Sequence, residues 1–319
     1  MRKLRHKDLI SIIDLTREEI EEIFSLSQTL KAQAGKERTY APLAGRTLAM
    51  IFEKPSLRTR VTLSAGMTQL GGSAIFLGPN DISMGVRESV ADTAKNLERW
   101  VDAIMARTFS HETVLALARE ASIPVINGLT DKTHPCQVLS DCFSIREKLG
   151  RLSEIKVAFL GDGNNVAHSW LYAATRLNFR FSIACPPGYE PLAEIVSECQ
   201  AEAGDRVRVT HDLAEALEDA DVVYTDVWAS MGQEHEAQQR RSIFAPYQLN
   251  KAALSLARLN ALVMHCLPAH RNEEITDEVI DGPQSIVFDQ AENRLHVQKA
   301  ILILLMAEQH LVDEPAKIN

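Results

Sequence analysis

The sequence predicts an α/β protein of two doubly wound parallel-sheet domains, joined by helices with a cleft between them. Short, continuous apolar runs alternate with amphipathic segments along nearly the whole chain, which favours a parallel sheet with right-handed crossovers. The series runs once to about residue 127 and restarts at KVAFLG (156–161). Every unusual polar cluster falls at the carboxyl end of an apolar run, where ligands of such sheets sit.

The elements follow in order. DLTREEIEEIFSLSQTL opens with Thr16 and Glu19 at capping-box spacing and continues with apolar residues at helical intervals. TLAMIF (47–52) reads as a strand buried on both faces. A helix is predicted through Thr62 to Leu70, stopped by Gly71 and Gly72. Strand AIFL (74–77), a helix from Val90 to Trp100, strand AIMAR (103–107), a helix from Thr113 and strand PVIN (124–127) complete the first series. Helix QVLSDCFSIREKLG ends at Gly150. The second series has strands at FSIAC (181–185), VRVT (207–210), DVVYTD (221–226) and ALVMHC (261–266). Residues 1–150 and 151–291 are the expected domains, with a C-terminal helix of about 292–319 packing back on the first.

The 319 residues are 45% hydrophobic with a formal net charge of −9, which excludes a general polyanion binder. No nucleic-acid partner is expected, and any basic site must be local. No run reaches the roughly 18 apolar residues of a membrane span, so no membrane partner is expected. The basic start MRKLRHKDL lacks the apolar stretch of a signal peptide. Five scattered cysteines without a CxxC pair read as reduced thiols in the cytoplasm, with neither a disulfide frame nor a zinc site.

FEKPSLRTR (52–60) places three cations where a strand hands over to a helix, although helix starts prefer carboxylates. Ser56, Arg58 and Thr59 combine hydroxyls, a guanidinium and helix N–H groups, the parts of a phosphate cradle. The competing reading pairs Arg58 and Arg60 with carboxylates such as Glu53 and leaves Ser56 as a cap. Arg107 ends an apolar strand, where burying a charge calls for a partner. His134 can donate to a carbonyl oxygen and Gln137 can accept from an amide, although a His-Pro pair is often only a turn. Together these suggest a substrate with both a phosphate and a carbonyl.

GDGNNVA (161–167) resembles a dinucleotide fingerprint poorly, because Val166 stands at the third glycine position and no carboxylate ends the next strand. Asn164 and Asn165 offer amides for an amino acid's carboxylate and ammonium. Asp226 suits an ammonium or a helix cap. Cys266 alone reads as structural, since free cysteine is commonly buried. A metal held by His265, Cys266 and His270 fails on spacing and on the lack of a fourth ligand.

SLRTR, HPCQVLSD, DVWASMG and HCLPAHR, in this order, resemble the aspartate/ornithine carbamoyltransferases from about residue 6 to residue 310. SMG and HCLPAHR are segments of the ornithine branch. The resemblance implies two parallel α/β domains assembled as a homotrimer or a multiple of trimers, acting without cofactor or metal on carbamoyl phosphate and L-ornithine. It places carbamoyl phosphate on Ser56, Leu57, Arg58 and Thr59, with Arg107, His134, Gln137, Cys266, Leu267 and Arg294 around it. Ornithine falls to Asn165, Asp226, Ser230 and Met231, with Cys266 and Leu267 beside the reacting amine. The implied catalytic residues are Cys266, Arg107, His134 and Asp226. Leu57 departs from the family's usual threonine and is shared with relatives that use N-acetylornithine; Ser83 departs from glutamine or histidine. N-acetylornithine, putrescine or aspartate as amine, or a non-catalytic relative, are the alternatives.

Overall fold

The computed structural model describes residues 3–35, 40–229 and 236–309. The chain divides into two compact units, Met1–Ser140 with Glu292–Asn319, and Asp141–Ala291.

The first unit holds a parallel sheet of order β2-β1-β3-β4, with β1 Thr47–Phe52, β2 Ser73–Leu77, β3 Ala103–Arg107 and β4 Val125–Leu129. Its helices are α1 Arg17–Ala32, α2 Leu57–Gln69, α3 Val90–Leu97 and α4 His111–Glu120, followed by α5 Pro135–Leu149, which begins in this unit. The second sheet, also parallel, has order β7-β6-β5-β8-β9. Its strands are β5 Lys156–Leu160, β6 Arg180–Ala184, β7 Val207–Thr210, β8 Val222–Thr225 and β9 Leu262–His265. Around it lie α6 Asn165–Leu177, α7 Ala193–Ala203, α8 Leu213–Leu217, α9 Ala237–Phe244, α10 Lys251–Leu254 and α11 Asp277–Ile280. The last helix, α12 Val287–Met306, runs into the first unit.

Central strands β3 and β5 are buried throughout, as continuous apolar runs require, whereas edge strand β2 is partly open. One core packs Ile51, Ile104, Val114, Leu117 and Val125. The other packs Leu160, Val223, Leu249, Val263 and Ile275. Within the first unit, α12 is tied to α1 by Lys31 Nζ donating to Asn293 Oδ1 at 2.9 Å. Thr62 Oγ1 on α2 donates to Gln298 Oε1 at 2.5 Å.

The α1 capping box forms as predicted: Glu19 N donates to Thr16 Oγ1 at 3.2 Å, and Thr16 N to Glu19 Oε2 at 2.8 Å. Helix α2 starts at Leu57, at the strand-to-helix handover that the SLRTR segment marks. Ser56 supplies the cap, its Oγ accepting from Thr59 N at 3.3 Å, and no acidic residue stands in the first turn. Strand order reverses between β1 and β3 in the first sheet and between β5 and β8 in the second. Those reversals fix where ligand-binding loops meet.

Candidate functional site

In the first unit, the reversal brings together the loops after β1 and β3. Ser56 caps α2, and Leu57 occupies its first turn with the side chain 73% exposed, so this position offers backbone rather than side chain. Thr59 is buried, one turn in. Arg107 ends β3 at a register shift: Ala106 pairs with Asn127, but Arg107 pairs with Leu129. Such an irregularity re-aims a strand-end side chain.

His134 precedes α5 and is buried beside Gln137. Burial holds the imidazole well below its usual pKa, and the guanidiniums of Arg294, Arg107 and Arg58 push it further the same way. Three cations therefore converge on one neutral imidazole, which keeps a single ring N–H to donate. Arg294, on α12, closes the group. It donates from Nη1 to Gln137 Oε1 at 2.9 Å and from Nη2 to Thr59 Oγ1 at 2.8 Å. A buried concentration of positive charge in an acidic protein is a site for a small anion.

Glu53, the carboxylate named in the competing reading, is engaged elsewhere. Glu53 Oε2 accepts from the backbone N–H of Phe109 at 2.7 Å, and Arg60 stacks on Phe76, 3.7 Å from the ring centroid. Lys54, counted among the three cations of this segment but given no role in the sequence reading, is buried, with its ammonium 4.6 Å from the Phe109 ring centroid.

In the second unit, the reversal brings together the loops after β5 and β8, with the end of β9 beside them. Asp226 is 7% exposed and is held from two sides. Its Oδ1 accepts from the Cys266 thiol at 2.9 Å and from Val227 N at 2.8 Å; its Oδ2 accepts from Asn164 Nδ2 at 2.9 Å. Asn164 also caps α6, its Oδ1 accepting from Val166 N and Ala167 N. Asn165 follows as the first residue of that helix. Asp226 thus acts as an acceptor in a side-chain network and not as the cap of the following element. Cys266 is half-buried, unlike the four other cysteines, which are buried. Ser230 and Met231 lie outside the described residues.

Behind Cys266, His265 is fully buried and uses both ring nitrogens. Nδ1 accepts from Leu267 N at 2.9 Å, which leaves Nε2 to donate to Glu274 Oε1 at 3.0 Å. The backbone N–H of His265 donates to Gln290 Oε1 at 3.0 Å. This lattice supports Leu267, whose φ of 56° is unusual for a leucine. Sequence reading missed Glu274, eight positions after Cys266, because nothing local marks it as the partner of a buried histidine. Asp226, His265 and Cys266 place ligand atoms within 4.8 Å of one another. Since both nitrogens of His265 are engaged, that histidine has no lone pair left for a metal.

The arrangement offers an anion site with a neutral hydrogen-bond donor in one unit, and a carboxylate–thiol pair beside helix-start amides in the other. Residues 7–147 match the family described as "Aspartate/ornithine carbamoyltransferase, carbamoyl-P binding domain", and residues 153–305 match "Aspartate/ornithine carbamoyltransferase, Asp/Orn binding domain". The chain is 53% identical over 300 residues to the ornithine carbamoyltransferase of Syntrophus aciditrophicus, covering 94% of this chain and 99% of the relative. It is 50% identical over 306 residues to a Pyrococcus furiosus protein named "Ornithine carbamoyltransferase, anabolic", covering 95% and 97%. A solved ornithine carbamoyltransferase structure from Pyrococcus furiosus superposes with a TM-score of 0.92 at 48% identity, covering 96% of this chain and 99% of that one. The chain belongs to the aspartate/ornithine carbamoyltransferase family.

Proposed function

We propose that this enzyme transfers the carbamoyl group of carbamoyl phosphate to the δ-amine of L-ornithine, giving L-citrulline and phosphate. The observation that carries the reading is the buried group in which Arg294 bonds both Thr59 and Gln137 beside buried His134, with the Arg58 and Arg107 charges also acting on that imidazole. Ser56, Arg58 and Thr59, with the backbone at Leu57, hold the phosphate at the start of α2. Arg107 and His134 donate to the carbamoyl oxygen, and Gln137 accepts from its amide. Arg294 bonds Thr59 and Gln137 and adds charge toward the phosphate.

The neutral δ-amine attacks the carbonyl carbon, and the carbonyl electrons move onto oxygen, where Arg107 and His134 stabilise the developing charge. The intermediate collapses, the carbon–oxygen bond to phosphate breaks, and the leaving phosphate keeps the electron pair and takes the proton that the attacking nitrogen sheds. A free alkylamine carries a proton below about pH 10.4, so the amine must lose one before it attacks. Asp226 and Cys266, 2.9 Å apart, position the amine and take its proton. Leu267 lines the site beside Cys266, and Asn165, Ser230 and Met231 hold the amino-acid end of ornithine.

The Pyrococcus furiosus relative's printed name supports a biosynthetic direction, toward arginine. The assembly proposed is a homotrimer or a multiple of trimers; Leu57 and Val61 on α2 and Ile75 on β2 expose apolar surface for another copy. The compartment proposed is the cytoplasm, whose reducing conditions suit five unpaired thiols. Among the described residues, no helix is long and apolar enough to cross a membrane.

The deciding experiment is citrulline formation from carbamoyl phosphate with ornithine, N-acetylornithine, putrescine and aspartate offered in parallel. Strong preference for ornithine is expected. Preference for N-acetylornithine would move the substrate assignment, and no turnover with any amine would end the enzymatic reading.

A further inference from the structure

Arg240 lies on α9, 6% exposed, and none of the steps above uses it. Its guanidinium joins three stretches of chain. Nη1 donates to Asp162 Oδ2 at 3.1 Å and to the Trp228 carbonyl at 2.9 Å, while Nε donates to Glu236 Oε2 at 3.0 Å. The rings of Tyr189 and Phe244 flank it, with centroids 4.9 and 5.8 Å away. Asp162 belongs to the loop after β5, two residues before Asn164. Trp228 belongs to the loop after β8, two residues beyond Asp226. One buried cation therefore spans the two loops that meet where the strand order of the second sheet reverses.

The charge balance makes this link more than a packing contact. Burial raises the Asp162 carboxyl to about 6 even with Arg240 pulling against it, and the Asp226 and Glu236 charges add to the upward push. Without the guanidinium, two carboxylates would face each other with less compensation, and the loops that carry them would be driven apart. The planar guanidinium fixes Glu236 on Nε while Nη1 bonds Asp162 and the Trp228 carbonyl, a divergent geometry that the single ammonium of a lysine cannot reproduce.

We propose that Arg240 is a positioning residue that sets the spacing between the post-β5 and post-β8 loops and thereby the affinity for the amino-acid substrate. Asp162 is its working partner. This rests on the reading that Asn165 and Asp226 in those loops hold ornithine.

The test uses full-length R240K, R240Q and D162N, with KM for both substrates, kcat and thermal unfolding measured side by side. The ornithine KM is expected to rise about tenfold or more in R240K, the equivalent of one charge-assisted hydrogen bond. The carbamoyl phosphate KM should stay within about twofold. D162N should shift the ornithine KM in the same direction. Should R240Q fail to fold, R240K and D162N decide the matter. An unchanged ornithine KM in both, or parallel rises in both KM values, would overturn the proposal. If the unaltered protein turns over carbamoyl phosphate but not ornithine, the substrate reading itself falls and takes this inference with it.

Discussion

Arg294 Nη2 donates to Thr59 Oγ1 at 2.8 Å, joining residues 235 positions apart in the chain. The same guanidinium holds Gln137 at 2.9 Å, so one side chain from α12 locks both halves of the proposed phosphate and carbamoyl contacts. Arg294→Met should leave two buried acceptors without their charged donor. A stability loss of about 1–3 kcal/mol is expected, together with a rise in carbamoyl phosphate KM of tenfold order. Denaturant unfolding and steady-state kinetics measure both; an unchanged KM would remove Arg294 from the site.

His134 should act as a neutral donor. Burial and three guanidiniums hold its pKa well below the usual value, so it stays unprotonated as pH falls through the range where a free histidine charges. The ratio of wild-type to His134→Gln activity should therefore be flat between about pH 6 and pH 8, around the ordinary histidine value. His134→Ala, with no donor left, should cost about 3–4 kcal/mol in the barrier. A ratio that bends near neutrality would show that the imidazole ionises there.

Cys266 and Asp226 make separable contributions. Asp226→Asn keeps the shape but weakens the acceptor for the thiol and for Asn164, so kcat should fall roughly 100-fold, as for loss of a positioned base. Cys266→Ser should mainly raise the ornithine KM. Full kcat and an unaltered ornithine KM in Cys266→Ser across about pH 6 to 9, the span of the assay below the free-amine pKa, would dispose of a role for the thiol.

Gly163 sits where the loop after β5 meets backbone. A Cβ there would lie 2.1 Å from Pro191 N and 2.3 Å from the Glu190 carbonyl carbon. Neither atom belongs to a side chain that can swing away. Gly163→Ala should cost about 1–3 kcal/mol from overpacking and raise the ornithine KM by displacing Asn164. A variant as stable as wild type in chemical denaturation would show that the loop yields more easily than the contacts imply.

His296 gives the first unit an acid-sensitive point. Burial, followed by the Lys299 charge, brings its pKa down to about 4, with Glu292 opposing. The unfolded chain then binds a proton more readily than the folded one, so this contribution to stability is present at neutral pH and is lost as pH falls toward 4. His296→Gln should flatten that loss, seen as a smaller drop in Tm between about pH 7 and pH 5, the range beginning just above an ordinary histidine's pKa. An identical drop in both proteins would assign the acid sensitivity to other groups.

The alternating apolar runs were enough to place, within a few residues, the nine strands found among the described residues, because central parallel strands must be apolar on both faces. The same runs marked which loops lie at carboxyl ends, and so singled out Ser56, Arg107, Asp226 and Cys266. The start of α2 was legible from Ser56 as a cap, although its first turn is polar; the cap, not hydrophobicity, sets that boundary. Arg294 could be assigned only through the family resemblance, since nothing in its own segment points to Thr59 or Gln137.

By itself, then, the sequence determined the strand–helix order and the residue types waiting at each strand end, since both follow from local periodicity and burial. Only the tertiary structure decided the partners. It gave Glu53 to the Phe109 amide rather than to an arginine, Glu274 to His265, and Arg240 to Asp162 across 78 positions of chain. Those pairings depend on which loops the strand order brings side by side and on which buried charges must find compensation there, and neither is written in any short stretch of residues.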